Sequence, residues 1–502
     1  MPADPTFLEP CTINILMVGD DRINFSPDGP QRIRAYSLSL MIEALHERAN
    51  SIIRFCIHTA YRRGPDDGDN RSNGAGAQDT DFTFSDESLK DYDQVWLFGN
   101  LPDKAIVIDD EQKALEQFME RGGGVFATGD HMDLGAAMSK NLPRVKSMRI
   151  WRGGPSDIEF DPSCHNTLTH APGSRVAPFE ADATPQRITP KLYNIPDSNT
   201  QYPHPLLCKT GGVITVLPDH QHEGDCPELK EEDFDGVEPL MIAFSKNITS
   251  NANDPQFGAI GAYDGHLAGK GRVVVDASFH HFVNINLEGF LTPLPGSNRN
   301  LIQTDMALCA YEDIKTYFRN IAIWLAPTEK QKSIFARALW ETRWRSRAYP
   351  LLLPKTEAVG TPELSSIDVK ELGEAARDAL SQLTSRCFVL LWSIEAIKNI
   401  KNSNLLASQL YPWRRKNESL STLAANPAVP MNTENAIDYI IGGAMVKLAV
   451  VFPKKEAVES IEKLEEIVSE GAKAGLKAFR SFLEVSRDEL LRISDSIAEV
   501  LD

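Results

Sequence analysis

The sequence predicts an α/β protein: a doubly wound, mostly parallel, flavodoxin-like sheet with a long insertion, followed by an all-α C-terminal domain. Three observations predict it. Short apolar runs alternate with helix-like periodicity from residue 12 to residue 135. Each run stops at a turn rich in Gly, Asp or His. Residues 365–502 carry apolar residues at three- and four-residue spacing and no strand pattern. Strands alternating with helices at this spacing indicate βαβ units, and helical spacing with charges between indicates amphipathic helices.

Taken in order, Thr12 to Val18 (TINILMV) is apolar on both parities, as a strand covered on both faces requires, and stops at Gly19-Asp20-Asp21. Ser37 to Leu45 has helical spacing, Ile52 to Ile57 is a second strand, and the polar tract Asp66 to Asp81 reads as a surface loop. Asp93 to Phe98 is a strand. Glu111 to Glu120 is an amphipathic helix stopped by Gly122-Gly123-Gly124. Val125 to Thr128 is a strand opening into Gly129-Asp130-His131-Met132-Asp133. An insertion of about 155–253 is loop-rich, with one strand, Gly212 to Leu217, ending in Pro218-Asp219-His220-Gln221-His222-Glu223-Gly224. The sheet resumes at Gly258 to Tyr263 and Arg272 to Asp276, the latter followed by Ala277-Ser278-Phe279-His280-His281. A helix from Asp305 to Leu325 closes the domain. The domains are therefore expected at 1–350 and 365–502, joined by the linker Pro354 to Ser366. Within the second, Ile437 to Val451 is apolar on most faces and is expected to pack on Phe388 to Ile397 or on another subunit.

Composition narrows the function classes. A net charge of −18 repels polyanions, and the short basic clusters Arg343 to Arg347 and Arg414 to Lys416 read as solvated helix faces, so no nucleic-acid partner is expected. The longest apolar stretch, Ala436 to Phe452, carries Asp438 and Lys447 and is short for a bilayer, so no membrane role is expected. MPADPTFLEP has neither a basic nor an apolar leader region, and the seven cysteines include no CxxC pair. Both features predict a cytoplasmic protein with reduced thiols. The charged final helices are expected to mediate homo-oligomerisation or to dock a protein partner. No GxSxG elbow, P-loop or GxGxxG follows the first strand, which argues against a standard α/β-hydrolase, an NTPase and a dinucleotide enzyme.

Five of the eleven histidines fall in three motifs directly after predicted strands: GDHMD (129–133), DHQHEG (219–224) and SFHHF (278–282). A parallel sheet delivers such loops to one edge. His131, His220, His222, His280 and His281 are candidate ligands for a divalent metal (Zn, Mn or Fe), with Asp130 or Asp133 orienting an imidazole and Glu223 as general base. Taken singly, each motif reads as a packed or surface histidine more often than as a ligand; only the three together bring the metal or acid/base reading level with that one.

The segment Asp91 to Gly135 (DYDQVWLFG, an amphipathic helix, RGGGVFATGDHMDLG) resembles class I glutamine amidotransferase-like domains, and among them the ThuA-like branch. GKGRVVVDASFHH resembles their late G-x-GRV strand. The resemblance covers residues of about 12–135 and 258–326. It implies that His131 stands where amidotransferases carry the nucleophilic cysteine and that His280 or His281 takes the triad-histidine position. No cysteine stands at the elbow, so thiolate glutaminase chemistry is not expected. The resulting expectation is a hydrolase or lyase on a small polar substrate, with sugar chemistry suggested by the ThuA-like resemblance. Its rival is a non-catalytic ligand-binding or scaffold protein with a degenerate amidotransferase-like domain.

Between the two histidines at 280 and 281, alternation along an extended chain favours His280, which would share a face with Ser278 opposite Phe279.

Overall fold

A computed structural model describes residues 8–20, 23–27, 36–62, 76–100, 108–129, 134–150, 186–194, 200–218, 226–227, 234–246, 256–284, 286–287, 305–344, 365–398, 400, 406–407, 410–413, 433–452 and 458–501. By contacts the chain forms two units, one of residues 12–191 and 213–328, the other of residues 1–11, 192–212 and 329–502. Two segments assigned from sequence to the first domain, 192–212 and 329–344, thus belong with the C-terminal helices. The linker Pro354 to Ser366 lies mostly outside the described residues.

The first unit is built on strands β1 (Cys11–Gly19), β2 (Ile53–Tyr61), β3 (Gln94–Phe98), β4 (Gly124–Thr128), β5 (Gln186–Pro190), β10 (Val216–Leu217), β11 (Leu240–Lys246), β12 (Gln256–Tyr263) and β13 (Val273–Asp276). Between β5 and β10, the chain of the second unit forms β6 (Leu192–Asn194), β7 (Gln201–Pro203) and β8 (Cys208–Lys209), and the short β9 (Gly212–Val213) spans the boundary. The large sheet has nine strands in the order β10-β5-β11-β12-β13-β4-β3-β1-β2. β1, β3, β4 and β13 are parallel. β2 runs with them, because Arg54 bonds Thr12 at one end and the Arg62 N–H bonds the Gly19 carbonyl at the other. β12, β11, β5 and β10 pair antiparallel. The sheet is therefore mixed, not mostly parallel. To this large sheet the insertion supplies two strands the sequence reading passed over, β5 and β11, and Gly212 to Leu217 is broken into two short strands.

Period-two alternation puts each parallel strand between two apolar layers. Leu16, Val18, Val95, Leu97, Val125, Ala127, Val273 and Val275 share a cluster with Leu115, Phe118 and Met119 of the helix Asp109–Glu120. On the other face Phe98 and Phe126 meet Phe282 at 5.6 and 5.0 Å, and Phe282 meets Phe318 of the helix Asp305–Trp324 at 5.4 Å. Helices thus cover both faces. The end of the polar tract is not a free loop: Gln78 and Thr59 exchange hydrogen bonds beside β2.

In the second unit the helices Thr328–Trp344, Ser366–Leu383, Arg386–Lys398, Thr433–Val451 and Ile461–Leu501 pack together. The apolar helix Thr433–Val451 lies mainly along Ile461–Leu501 and Ser366–Leu383, rather than along Phe388 to Ile397, because glycines on all three helices let the backbones approach. Trp392 Nε1 donates to Gln331 at 2.7 Å, and this tie explains why 329–344 joins the helical unit. Cys208 and Cys387 form a disulfide, which corrects the expectation of reduced thiols throughout. They are 179 residues apart in sequence, and only folding brings them together. Among the described residues no helix is long and apolar enough to cross a membrane.

Candidate active site

The parallel strands end in register. Gly19 pairs with Phe98, Phe98 with Thr128, and Thr128 with Asp276, so four loops leave one edge of the sheet side by side. Asp20, buried at the end of β1, accepts a hydrogen bond from the Asn100 N–H after β3. The loop after β4 begins and returns at this edge. Gly135, at φ 93°, lies so close to Gly129 that a side-chain carbon on it would stand 2.8 Å from the Gly129 Cα. Only glycine supplies that backbone and that approach.

At the end of β13 the chain turns through a short 3₁₀ segment, Phe279–His281. Ser278 caps it, its hydroxyl accepting from the His280 N–H at 3.2 Å. Asp276, fully buried, is the hub. Its Oδ1 accepts the Ser278 N–H at 3.1 Å and lies 2.6 Å from His281 Nδ1, while its Oδ2 accepts the Tyr317 hydroxyl at 2.7 Å. Burial, then the neighbouring Asp276 carboxylate, hold the Tyr317 phenol well above its ordinary pKa, so it stays protonated and donates. With Nδ1–H given to Asp276, the basic nitrogen of a neutral His281 is Nε2. The Phe279 N–H donates to the Gly129 carbonyl at 2.8 Å, tying this turn to the end of β4. Arg149, also buried, donates through Nε to the Ala277 carbonyl at 3.0 Å.

His280 differs. Its ring stacks on Phe279 at 4.6 Å, and its Nδ1 lies 3.1 Å from Asn286 Oδ1. Alternation along an extended chain favoured His280 over His281, but 279–281 is helical, so that rule does not apply. It is His281 that has the carboxylate partner.

Chemically, a buried carboxylate that fixes an imidazole through Nδ1 serves two ends. It orients a general base, or it orients a metal ligand acting through Nε2. Asp130, His131, Asp133, His220, His222 and Glu223 lie outside the described residues. Among the described residues no group of three or more His, Cys, Asp or Glu side chains is gathered for a metal. Sequence reasoning missed Asp276, Tyr317, Asn286 and Arg149. Asp276 had a legible signal, an acid on the last strand residue five before a histidine. Tyr317 had none, being 41 residues away on a helix whose rotation is set by packing.

Other buried ion pairs support the fold. Arg62 and Glu111 meet at 2.7 Å, and Arg272 is held by Asp264 at 2.7 Å and by the Trp324 carbonyl at 3.0 Å.

No family model, no curated protein and no solved structure matches this chain.

Proposed function

We propose that the α/β unit is a hydrolase or lyase of the class I amidotransferase-like type, closest to its ThuA-like branch, acting on a small polar substrate. The observation that carries this reading is the Asp276–His281 pair, held by Tyr317, at the carboxyl edge of the sheet beside Gly129. The strand order β2-β1-β3-β4-β13 supports it, because in open parallel sheets ligands bind at the carboxyl ends of the strands.

In this proposal His281 Nε2 takes or returns the proton at the reacting centre, Asp276 holds its tautomer, and His131, which follows β4 in sequence, is the further residue that the resemblance implies. The donor chemistry also fits a divalent metal. Both His280 and His281 have Nδ1 engaged, the arrangement that aims Nε2 at an ion, and His131, His220 and His222 are the further candidates. Bound there, the metal would lower the pKa of a water, with Glu223 as its base.

The test has two arms. The purified protein is screened against amide, ester and phosphoester substrates and against sugars, with His281→Ala as the blank. Metal content of wild type, His131→Ala and His281→Ala is measured by elemental analysis. The expected result is turnover lost at least about 100-fold in His281→Ala, the size of a general-base contribution. Turnover no higher than the blank across the screen, with equal metal in all three proteins, overturns the reading. That outcome would favour the non-catalytic alternative, which has its own supporting observation: Asp276 has three donors and no exposure, as a purely structural network would.

A further inference from the structure

The helical unit contains a cavity of about 190 Å³, formed where the helices Ser366–Leu383, Arg386–Lys398 and the start of Thr433–Val451 meet the strand Gln201–Pro203. Its polar walls carry both signs of charge. Arg377 and Arg386 stand among the lining residues, and so do Asp378 and Glu434. Leu390, buried, contributes apolar surface.

The walls are held in place. The Arg386 guanidinium lies 4.7 Å over the Tyr202 ring, and its Nη2 donates to the Gln201 carbonyl at 2.8 Å. The Tyr202 hydroxyl donates to Glu434 at 3.2 Å. Burial, then the Glu434 carboxylate, push the Tyr202 phenol up to about 12, so it remains a donor. The Cys208–Cys387 disulfide pins the segment after Tyr202 to the helix that begins at Arg386. Arg377 faces Asp438 through Nε at 3.2 Å, and among the described residues no partner is recorded for its two terminal nitrogens. A guanidinium has five N–H donors in a fixed fork, so each arginine keeps donors for a ligand.

Size and charge together select the ligand. The cavity is smaller than the roughly 300–1,000 Å³ of drug-sized sites. Two cations and two anions in so small a space penalise a simple anion, which would meet Asp378 and Glu434. They equally penalise a simple cation, which would meet the arginines. We propose that this cavity binds a free amino acid or a similarly small zwitterion, its carboxylate on Arg377 and Arg386, its ammonium on Glu434 and Asp378, and its side chain on Leu390. This proposal is independent of the site on the α/β unit.

The test is isothermal titration of the full-length protein with leucine, phenylalanine and glutamate. Each is compared with the matched acid lacking the amine and the matched amine lacking the acid. The expected result is that at least one amino acid binds, with both singly charged analogues at least about tenfold weaker. Glu434→Gln keeps an acceptor for Tyr202 while removing the charge. It should weaken the amino acid about tenfold and leave the amine-free acid unchanged. An acid that binds as tightly as its amino acid would overturn the proposal in favour of a plain anion site. Absence of binding by every probe at about 10 mM would overturn it outright.

Discussion

Replacing Gly471 by alanine should destabilise the helical unit, although the same change in an exposed helix stabilises. Gly471 lies on the helix Ile461–Leu501 where it crosses Thr433–Val451. An alanine Cβ there would stand 2.6 Å from both the Ala444 Cα and the Gly443 carbonyl oxygen. Non-bonded carbons sit at roughly 3.5–4.0 Å, so the backbones must part by about 1 Å. Backbone atoms cannot rotate aside, which puts the overpacking cost near the upper end of its usual range, about 3 kcal/mol. The helix propensity gained by alanine over glycine offsets about 1 kcal/mol, leaving a net loss of about 2 kcal/mol. Separation would also loosen Tyr439 against Phe479 and Phe482, now at 5.3 and 5.9 Å. The assay is urea unfolding followed by far-UV circular dichroism. Ala474→Gly, exposed on the same helix, measures the propensity contribution directly. Gly443 meets Gly471 and Gly475 at the same crossing, so once one alanine has spread the helices the second has room. The double variant Gly443→Ala, Gly471→Ala should lose less than the sum of the two singles. If Gly471→Ala stabilises by as much as Ala474→Gly destabilises, the crossing is not tight and the reasoning fails.

Three further outcomes are expected. Asp276→Asn turns an amide N–H₂ toward a donor it now accepts from and should cost about 3–5 kcal/mol in thermal unfolding, whereas Tyr317→Phe removes one hydrogen bond and should cost about 1–3 kcal/mol; equal melting of both with wild type would remove the network from the fold's energetics. Glu111→Ala removes the buried carboxylate that pairs with Arg62 and accepts from the Phe84 N–H, at about 3–5 kcal/mol, and the double change Arg62→Met, Glu111→Leu should recover part of that; a double variant less stable than the single would contradict this. Burial raises Asp438 from 3.8 to about 7 against the opposing pull of Arg377. A carboxyl raised on folding contributes stability that is complete below its unfolded pKa and is lost as pH rises through the folded one, here between pH 4 and 7. The wild-type minus Asp438→Asn stability difference should therefore fall across that window, and a flat difference would show that Asp438 is ionised throughout.

Local chemistry made part of this molecule readable. Val95, Leu97, Val125 and Ala127 alternate with Trp96, Phe98 and Phe126, and a strand with apolar residues on both parities has to be covered on both faces. The helix Asp109–Glu120 and the stop at Gly122 are equally local, as is the exit of His280 and His281 at a strand end. Periodicity and turn chemistry depend on neighbours a few residues away, so a single sequence displays them.

The remainder depended on partners far along the chain. Leu240 to Phe244 is an apolar run inside a region rich in Pro and Asp, and only its pairing with Phe257 to Ala262 makes it a central strand. The antiparallel half of the sheet followed from such pairings and could not be read from the runs themselves. The pairing of Asp276 with His281, not with His280, turned on a 3₁₀ turn that breaks strand alternation, together with a tyrosine delivered by a distant helix. The joining of Cys208 to Cys387, and of 329–344 to the C-terminal helices, likewise came from packing between surfaces remote in sequence. Which residues are strand, helix or turn is set by short-range sterics and burial pattern. Which of them touch is set by the global minimum of packing and buried polar satisfaction, and that minimum exists only once the whole chain is folded.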